Sequence, residues 1–257
     1  MIGIVAVSHS PALAAAAREL ALQMGGDDPP LVEIAAGTPD GELGTDAAAI
    51  AEAVERASSD DGVLILMDLG SAILSAETAL EFVDPEITVR LSPAPFVEGL
   101  VAAVVGAASG SDLDAIIAQL DTALAAKRQQ LGLEEELPPT TDAAAPAPAD
   151  ETASRESIDD APADDGELSF EAVIRNPSGL HARPAASFAR AAGRFDARVT
   201  LTDLGSQMAP VAANSLLALM AMGIGRGAKV RVTATGREAR AALDELRGMI
   251  EDGFGEM

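Results

Sequence analysis

Val63-Leu64-Ile65-Leu66-Met67-Asp68-Leu69-Gly70-Ser71 runs five apolar residues together, then breaks on an acid and a turn. A strand with one wet face alternates; an unbroken run reads as a strand buried on both faces, as in a parallel sheet between two layers of helices. Outward from it the same texture recurs. Residues 2–7 form a second such strand, closing on Ser8-His9-Ser10. A helix over residues 11–24 follows, with Ser10 as N-cap and Pro11 at its first position. Further strands are predicted at residues 31–36 and 87–91. Further helices are predicted at 45–57 with Thr45 as cap, and at 71–82, 96–107 and 112–130. This βαβαβαβα rhythm predicts an α/β domain over residues 1–131, with a doubly wound, mostly parallel sheet.

Composition limits what such a chain can be. Apolar residues make up 48% of the 257, but aromatics only 2%, with no Trp or Tyr, so Ala, Val, Leu and Ile must do the packing. No apolar run has the roughly 18–20 residues of a membrane span. The apolar N-terminus lacks the basic flank of a signal peptide. Without cysteine there is no disulfide, no thiolate metal site and no thiol nucleophile. Two separated histidines make a dedicated metal site improbable, so none is assigned. A net charge of −24 repels phosphate backbones and argues against a nucleic-acid partner. The expectation is a soluble cytoplasmic protein with no membrane partner.

Residues 132–167 differ from either flank. They hold Pro138, Pro139, Pro146, Pro148 and Pro162, repeated Ala and many acids, with Arg155 the one base. No apolar periodicity survives, so the segment reads as a disordered acidic linker. From residue 168 to 257 the rhythm changes. Strands are predicted at 168–174, 197–202, 207–211 and 229–235, and helices at 181–192, 215–222 and 237–250. That is α+β material with helices on one face of a sheet. The glycine-rich Gly223-Ile224-Gly225-Arg226-Gly227-Ala228-Lys229 matches neither common nucleotide loop and reads as the turn between a helix and a strand.

The two histidines carry the chemistry. His181 lies in Pro177-Ser178-Gly179-Leu180-His181-Ala182-Arg183-Pro184. Gly179 permits a tight turn and Pro184 suits a first helical turn, so His181 falls at a helix N-terminus. Backbone N–H groups and the helix dipole favour an anion there, and Arg183 adds a forked cationic donor suited to phosphate. Such a place also favours the neutral, nucleophilic ring. His9 stands at the carboxyl end of the first strand, where ligands of doubly wound sheets bind. If the strand order is 2-1-3-4, Asp68 faces His9 across the switch point. A carboxylate there fixes the imidazole tautomer and leaves the other nitrogen to carry phosphate. Gly70 and Ser71 open the next helix and offer donors to phosphate oxygens. Ser178 and Thr45 are further phosphate-stabilising candidates. An exposed loop histidine beside a strand-end aspartate would give the same string.

Resemblance narrows these readings. Gly179-Leu180-His181-Ala182-Arg183-Pro184-Ala185 resembles the phosphorylation motif of HPr, the histidine phosphocarrier of the bacterial phosphotransferase system. Asn214-Ser215-Leu216-Leu217-Ala218-Leu219-Met220 is similar to that family's second helix. The resemblance implies an open-faced sandwich and a histidine loaded by Enzyme I and steadied by Arg183. It also marks Ser215 as a possible regulatory site, although a serine there is equally a plain N-cap. Ile4-Val5-Ala6-Val7-Ser8-His9-Ser10 resembles mannose-type IIA domains. More narrowly, Gly44-Thr45-Asp46-Ala47, Met67-Asp68-Leu69-Gly70-Ser71 and Ser75-Ala76-Glu77-Thr78 resemble the phosphoryl-donor subunit of the phosphoenolpyruvate-dependent dihydroxyacetone kinase.

That second resemblance implies a homodimer through the N-terminal domain, with His9 as phosphoryl donor and Asp68 as its orienting carboxylate. The partners it implies are an ADP-binding and a dihydroxyacetone-binding kinase subunit. Nucleotide and magnesium belong to the former, and this chain binds no cofactor. With no third histidine before Met257, loading is expected from Enzyme I in trans. Two other roles stay open: a IIA–HPr fusion that supplies a mannose-type sugar permease, and a regulatory module without turnover.

Overall fold

A computed structural model describes residues 1–124, 127, 128, 131, 167–206 and 208–256. The predicted linker lies outside the described residues except for Glu167. Among the described residues two four-stranded sheets form, one on each side of it.

The first sheet contains β1 (Gly3–Ser8), β2 (Val32–Ala36), β3 (Val63–Met67) and β4 (Val89–Ser92), all parallel, in the order β2-β1-β3-β4. The helices α1 (Pro11–Gly25), α2 (Ala47–Ala57), α3 (Ser71–Leu80), α4 (Phe96–Ala108) and α5 (Leu113–Leu120) cover both its faces. The unbroken apolar runs follow from this layering. Ile4, Ala6, Leu64 and Leu66 point to one core, with α1 and α4; Val5, Val7, Val63, Ile65 and Met67 point to the other, with α2. With so few aromatics, layers close through small residues. A Cβ on Gly3 would stand 1.8 Å from the Ala57 carbonyl oxygen, so only glycine lets strand and helix backbones approach this closely.

The second sheet is antiparallel: β5 (Leu168–Val173), β6 (Arg198–Asp203), β7 (Val211–Ala212) and β8 (Lys229–Thr235), in the order β5-β8-β6-β7. Along β8, Val230, Val232 and Ala234 are buried while Lys229 and Arg231 are exposed, the alternation of a sheet with one covered face. The cover is α6 (Ala182–Gly193), α7 (Leu216–Ala221) and α8 (Ala239–Glu251). A 3₁₀ turn, Gly253–Gly255, folds the chain back after α8, with Phe254 at φ 59°. Its ring meets Phe188 edge-on at 6.3 Å between centroids.

The two domains touch through their helices. Val105 of α4 joins the second core, and Leu217 of α7, 5% exposed, joins the first. The Arg190 guanidinium donates to the Met24 carbonyl at the end of α1.

Several details depart from the sequence reading, among them the strand expected at 87–91, which is Val89–Ser92, and the helix expected at 237–250, which is Ala239–Glu251. Asp46, not Thr45, caps α2, taking the Ala48 N–H at 2.9 Å, because the Thr45 hydroxyl pairs with Ser75 instead. The helix expected over 71–82 stops at Leu80, four residues before Asp84, whose following Pro85 disfavours helical backbone there. The helix expected over 112–130 breaks after Leu120, where Thr122 and Ala123 close onto carbonyls three residues back; Lys127 and Arg128 are helical again, and residues 125, 126, 129 and 130 lie outside the described residues. Of the strand expected at 207–211, Gln207 lies outside the described residues, and pairing is found only at Val211–Ala212, because Pro210 has no N–H to give a ladder.

Candidate functional site

β1 and β3 run side by side in register, Val7 opposite Met67, so Ser8 and Asp68 emerge together at the carboxyl edge of the sheet. His9 is the next residue. Its backbone N–H donates to Asp68 Oδ2 at 2.9 Å, and its Nδ1 stands 2.9 Å from Asp68 Oδ1. The Ser8 hydroxyl donates to Asp68 Oδ2 at 2.8 Å. An ionised carboxylate only accepts, so Nδ1 carries the proton and Nε2 is left with its lone pair. Ser71, first residue of α3, places its hydroxyl 3.0 Å from that Nε2. The His9 side chain is 25% exposed and Asp68 only 7%, so the acid is shielded while the reactive nitrogen can be reached.

The loop before α2 completes the wall. Gly44 N–H donates to the His9 carbonyl, and the hydroxyls of Thr45 and Ser75 lie 2.7 Å apart. Gly70 precedes Ser71 with open space where a side chain would stand, so a phosphoryl group can approach its backbone. Thus His9, Asp68 and Ser71 come together, with Gly70 beside Ser71, while the Thr45 hydroxyl meets Ser75 and only its neighbour Gly44 is bonded to His9.

Burial pushes the Asp68 carboxyl up, but bonds from the His9 ring, the His9 backbone and the Ser8 hydroxyl, with the charge of His9, outweigh it and hold Asp68 below its ordinary 3.8. For a depressed carboxyl the stabilising tie is complete above the ordinary value and is lost only as pH falls through the lower folded one. A carbon-13 titration of Asp68 is therefore expected to give a midpoint below 3.8. A midpoint above it would mean that burial wins.

His181 caps α6 with extended backbone (φ −77°, ψ −178°). Gly179 makes the turn before it at φ 66°, where a Cβ would meet the Ile224 carbonyl oxygen at 2.3 Å. The glycine-rich 223–227 loop is thus the floor of this turn, and Leu180 N–H donates to the same Ile224 oxygen at 2.8 Å. His181 Nε2 lies 3.0 and 3.1 Å from the two carboxylate oxygens of Glu256. Buried Asn176 donates to Glu256 Oε2 at 3.1 Å and orients it. Here the carboxylate claims Nε2, and Nδ1 keeps the lone pair, the reverse of His9.

Arg183 and Ser178 are exposed on either side of this turn. Burial pushes Glu256 up, but bonds from Asn176 and His181 and the charges of His181 and Arg183 pull it lower than usual. Replacing Glu256 with Gln should move the neutral His181 ring away from the Nε2–H tautomer, read by nitrogen-15 shifts of the imidazole; an unchanged ring would show that Glu256 does not set it. Ser215 is buried, with its hydroxyl accepting the Ala218 N–H at 3.3 Å, which makes it the N-cap of α7.

Sequence reasoning missed Ser8, Asn176 and Glu256. Glu256 is 75 residues from His181, and its one local sign is Gly253-Phe254-Gly255, which reads afterwards as a turn-back.

Residues 3–117 match the family described as PTS system fructose IIA component, and residues 168–252 the one described as PTS HPr component phosphorylation site. The whole chain is 42% identical over 261 residues to the phosphoryl donor subunit DhaM of the PEP-dependent dihydroxyacetone kinase of Escherichia coli, spanning 51% of that protein. The chain thus covers about half the length of this relative. A second relative, the phosphoryl donor subunit of PEP-dependent dihydroxyacetone kinase 2 from Listeria innocua, is 39% identical over 122 residues. These make up 47% of this chain and 97% of the relative. Among solved structures, HPr from Thermoanaerobacter tengcongensis is 32% identical over 35% of this chain and 98% of its own, with a TM-score of 0.33.

Proposed function

The chain belongs to the family of phosphoryl donor subunits of the phosphoenolpyruvate-dependent dihydroxyacetone kinase, and we propose that it relays phosphoryl groups from Enzyme I through His181 and then His9 to ADP on a kinase subunit. The observation that carries this reading is the paired arrangement of the imidazoles. Each has one nitrogen tied to a carboxylate of its own domain, Asp68 or Glu256, and the other left with a lone pair.

The chemistry follows from those lone pairs. His181 Nδ1 attacks the phosphorus of phosphorylated Enzyme I; a new N–P bond forms, the old one breaks, and the donor nitrogen takes back its electron pair. His9 Nε2 then attacks the same phosphorus on His181, and the PO₃ group moves on with no net proton transfer. Finally the terminal oxygen of ADP on the kinase subunit displaces His9, and ATP forms there to phosphorylate dihydroxyacetone. Such transfers ask mainly for in-line positioning and for charge around the equatorial oxygens. Asp68 orients His9, and Ser71, Gly70 and Thr45 supply donors on its open side. Arg183, with Ser178, does so at His181. Nucleotide and magnesium stay with the kinase subunit.

A homodimer through the N-terminal domain belongs to the same reading, supported by Leu74 and Phe82, large apolar side chains left exposed on and just beyond α3. Supply of a sugar permease is the second reading, favoured by the sugar named in the IIA family description. The deciding experiment mixes phosphoenolpyruvate, Enzyme I, the two kinase subunits and this protein. Dihydroxyacetone phosphate should form only when all are present. No product from the complete mixture would turn attention to sugar transport.

A further inference from the structure

Ser8 is a wholly buried polar residue, 0% exposed, at the end of an otherwise apolar strand, and the relay as described gives it no part. Its oxygen accepts the Ser10 N–H at 3.0 Å, so its single proton is free to be donated elsewhere. Two acceptors are in reach: Asp68 Oδ2 at 2.8 Å and the Ser10 carbonyl at 3.1 Å. The carboxylate is both nearer and charged, and a charge-assisted bond is the stronger. Oδ2 then holds two donors, the Ser8 hydroxyl and the His9 N–H, while Oδ1 alone faces His9 Nδ1.

We infer that Ser8 is a positioning residue for His9: its hydroxyl anchors Oδ2 of Asp68 so that Oδ1 stays on the Nδ1–H of the ring and Nε2 is the nitrogen offered for transfer. The inference rests on the reading that His9 carries phosphate. Without the hydroxyl, Oδ2 keeps one donor, the carboxylate can turn about its last torsion, and the ring loses its fixed partner. The bland alternative is that Ser8 only satisfies the Ser10 N–H at the start of α1.

The test uses the full chain, Enzyme I and phosphoenolpyruvate, with two readouts. One is the tautomer of the His9 ring by nitrogen-15 shifts, which two histidines make easy to resolve. The other is the rate at which His9 gains phosphate. Ser8→Ala should lower the Nδ1–H fraction and slow loading about tenfold, the scale of one hydrogen bond to a charged group. Ser8→Thr, which keeps the hydroxyl, should restore both. In an Asp68→Asn background, Ser8→Ala should cost less than about twofold more, because two residues acting through one contact are not additive. If Ser8→Ala fails to fold, Ser8→Cys, of similar size but a weak donor, takes its place.

An unchanged tautomer in the folded variant overturns the inference. So does an undiminished loss in the Asp68→Asn background, which would assign Ser8 to Ser10 alone. Wild-type protein with no phosphate on His9 would instead overturn the relay, and the tautomer result would still judge Ser8.

Discussion

Replacing His9 with alanine is expected to stop phosphoryl transfer to the kinase subunit, with dihydroxyacetone phosphate formation falling at least about a thousandfold, as loss of a covalent carrier requires. Among the described residues, nothing near it can stand in. The Ser71 hydroxyl, 3.0 Å from Nε2, is a poor nucleophile at neutral pH with only the lost imidazole as its base. The fold should survive, because the ring is partly exposed and Asp68 keeps its bonds to the Ser8 hydroxyl and the backbone N–H of residue 9. Initial rates with excess Enzyme I, alongside an amide spectrum matching wild type, make the comparison. Full activity in a folded His9→Ala protein would remove the dihydroxyacetone assignment altogether.

Replacing His181 with alanine should have an equally large effect of a different kind. Loading from Enzyme I is expected to fall at least about a thousandfold, while the site at His9 stays intact and able to accept phosphate from another carrier. Adding free HPr should therefore restore much of the rate, whereas it should do nothing for His9→Ala. This asymmetry separates a relay from two parallel phosphorylation sites. Parallel sites would show partial loss in each variant and no selective rescue.

How much of this is legible in the sequence depends on how local each feature is. Val63–Met67 can be read to the residue because burial on both faces allows no polar interruption before Asp68. Lys229–Thr235 is equally plain, for the opposite reason: strict alternation on a one-sided sheet. The pairing of His9 with Asp68 follows from the strand order alone, since parallel neighbours in register end at the same edge. His181 is read from its own turn and helix start, because Gly179 and Pro184 lie within three residues of it.

What could not be read depends on partners far away along the chain. Thr45 and Asp46 are both good caps, and the choice is made by Ser75, thirty residues on. Glu256 is an ordinary acid in sequence, and only the turn at Gly253–Gly255 brings it onto His181. Ser8 looks like the polar end of a strand; its bond to Asp68 spans sixty residues. In each case the local residues allow several partners and tertiary packing selects one.

The order of the relay is the central claim, and following labelled phosphate from phosphoenolpyruvate tests it most directly. Wild-type protein, His9→Ala and His181→Ala would each be incubated with Enzyme I alone, quenched in base, and mapped for phosphohistidine. The relay predicts label on both histidines of the wild type, label held on His181 in His9→Ala, and none on His9 in His181→Ala until HPr is added. Label on His9 in His181→Ala at the wild-type rate, with Enzyme I as the sole donor, would contradict it.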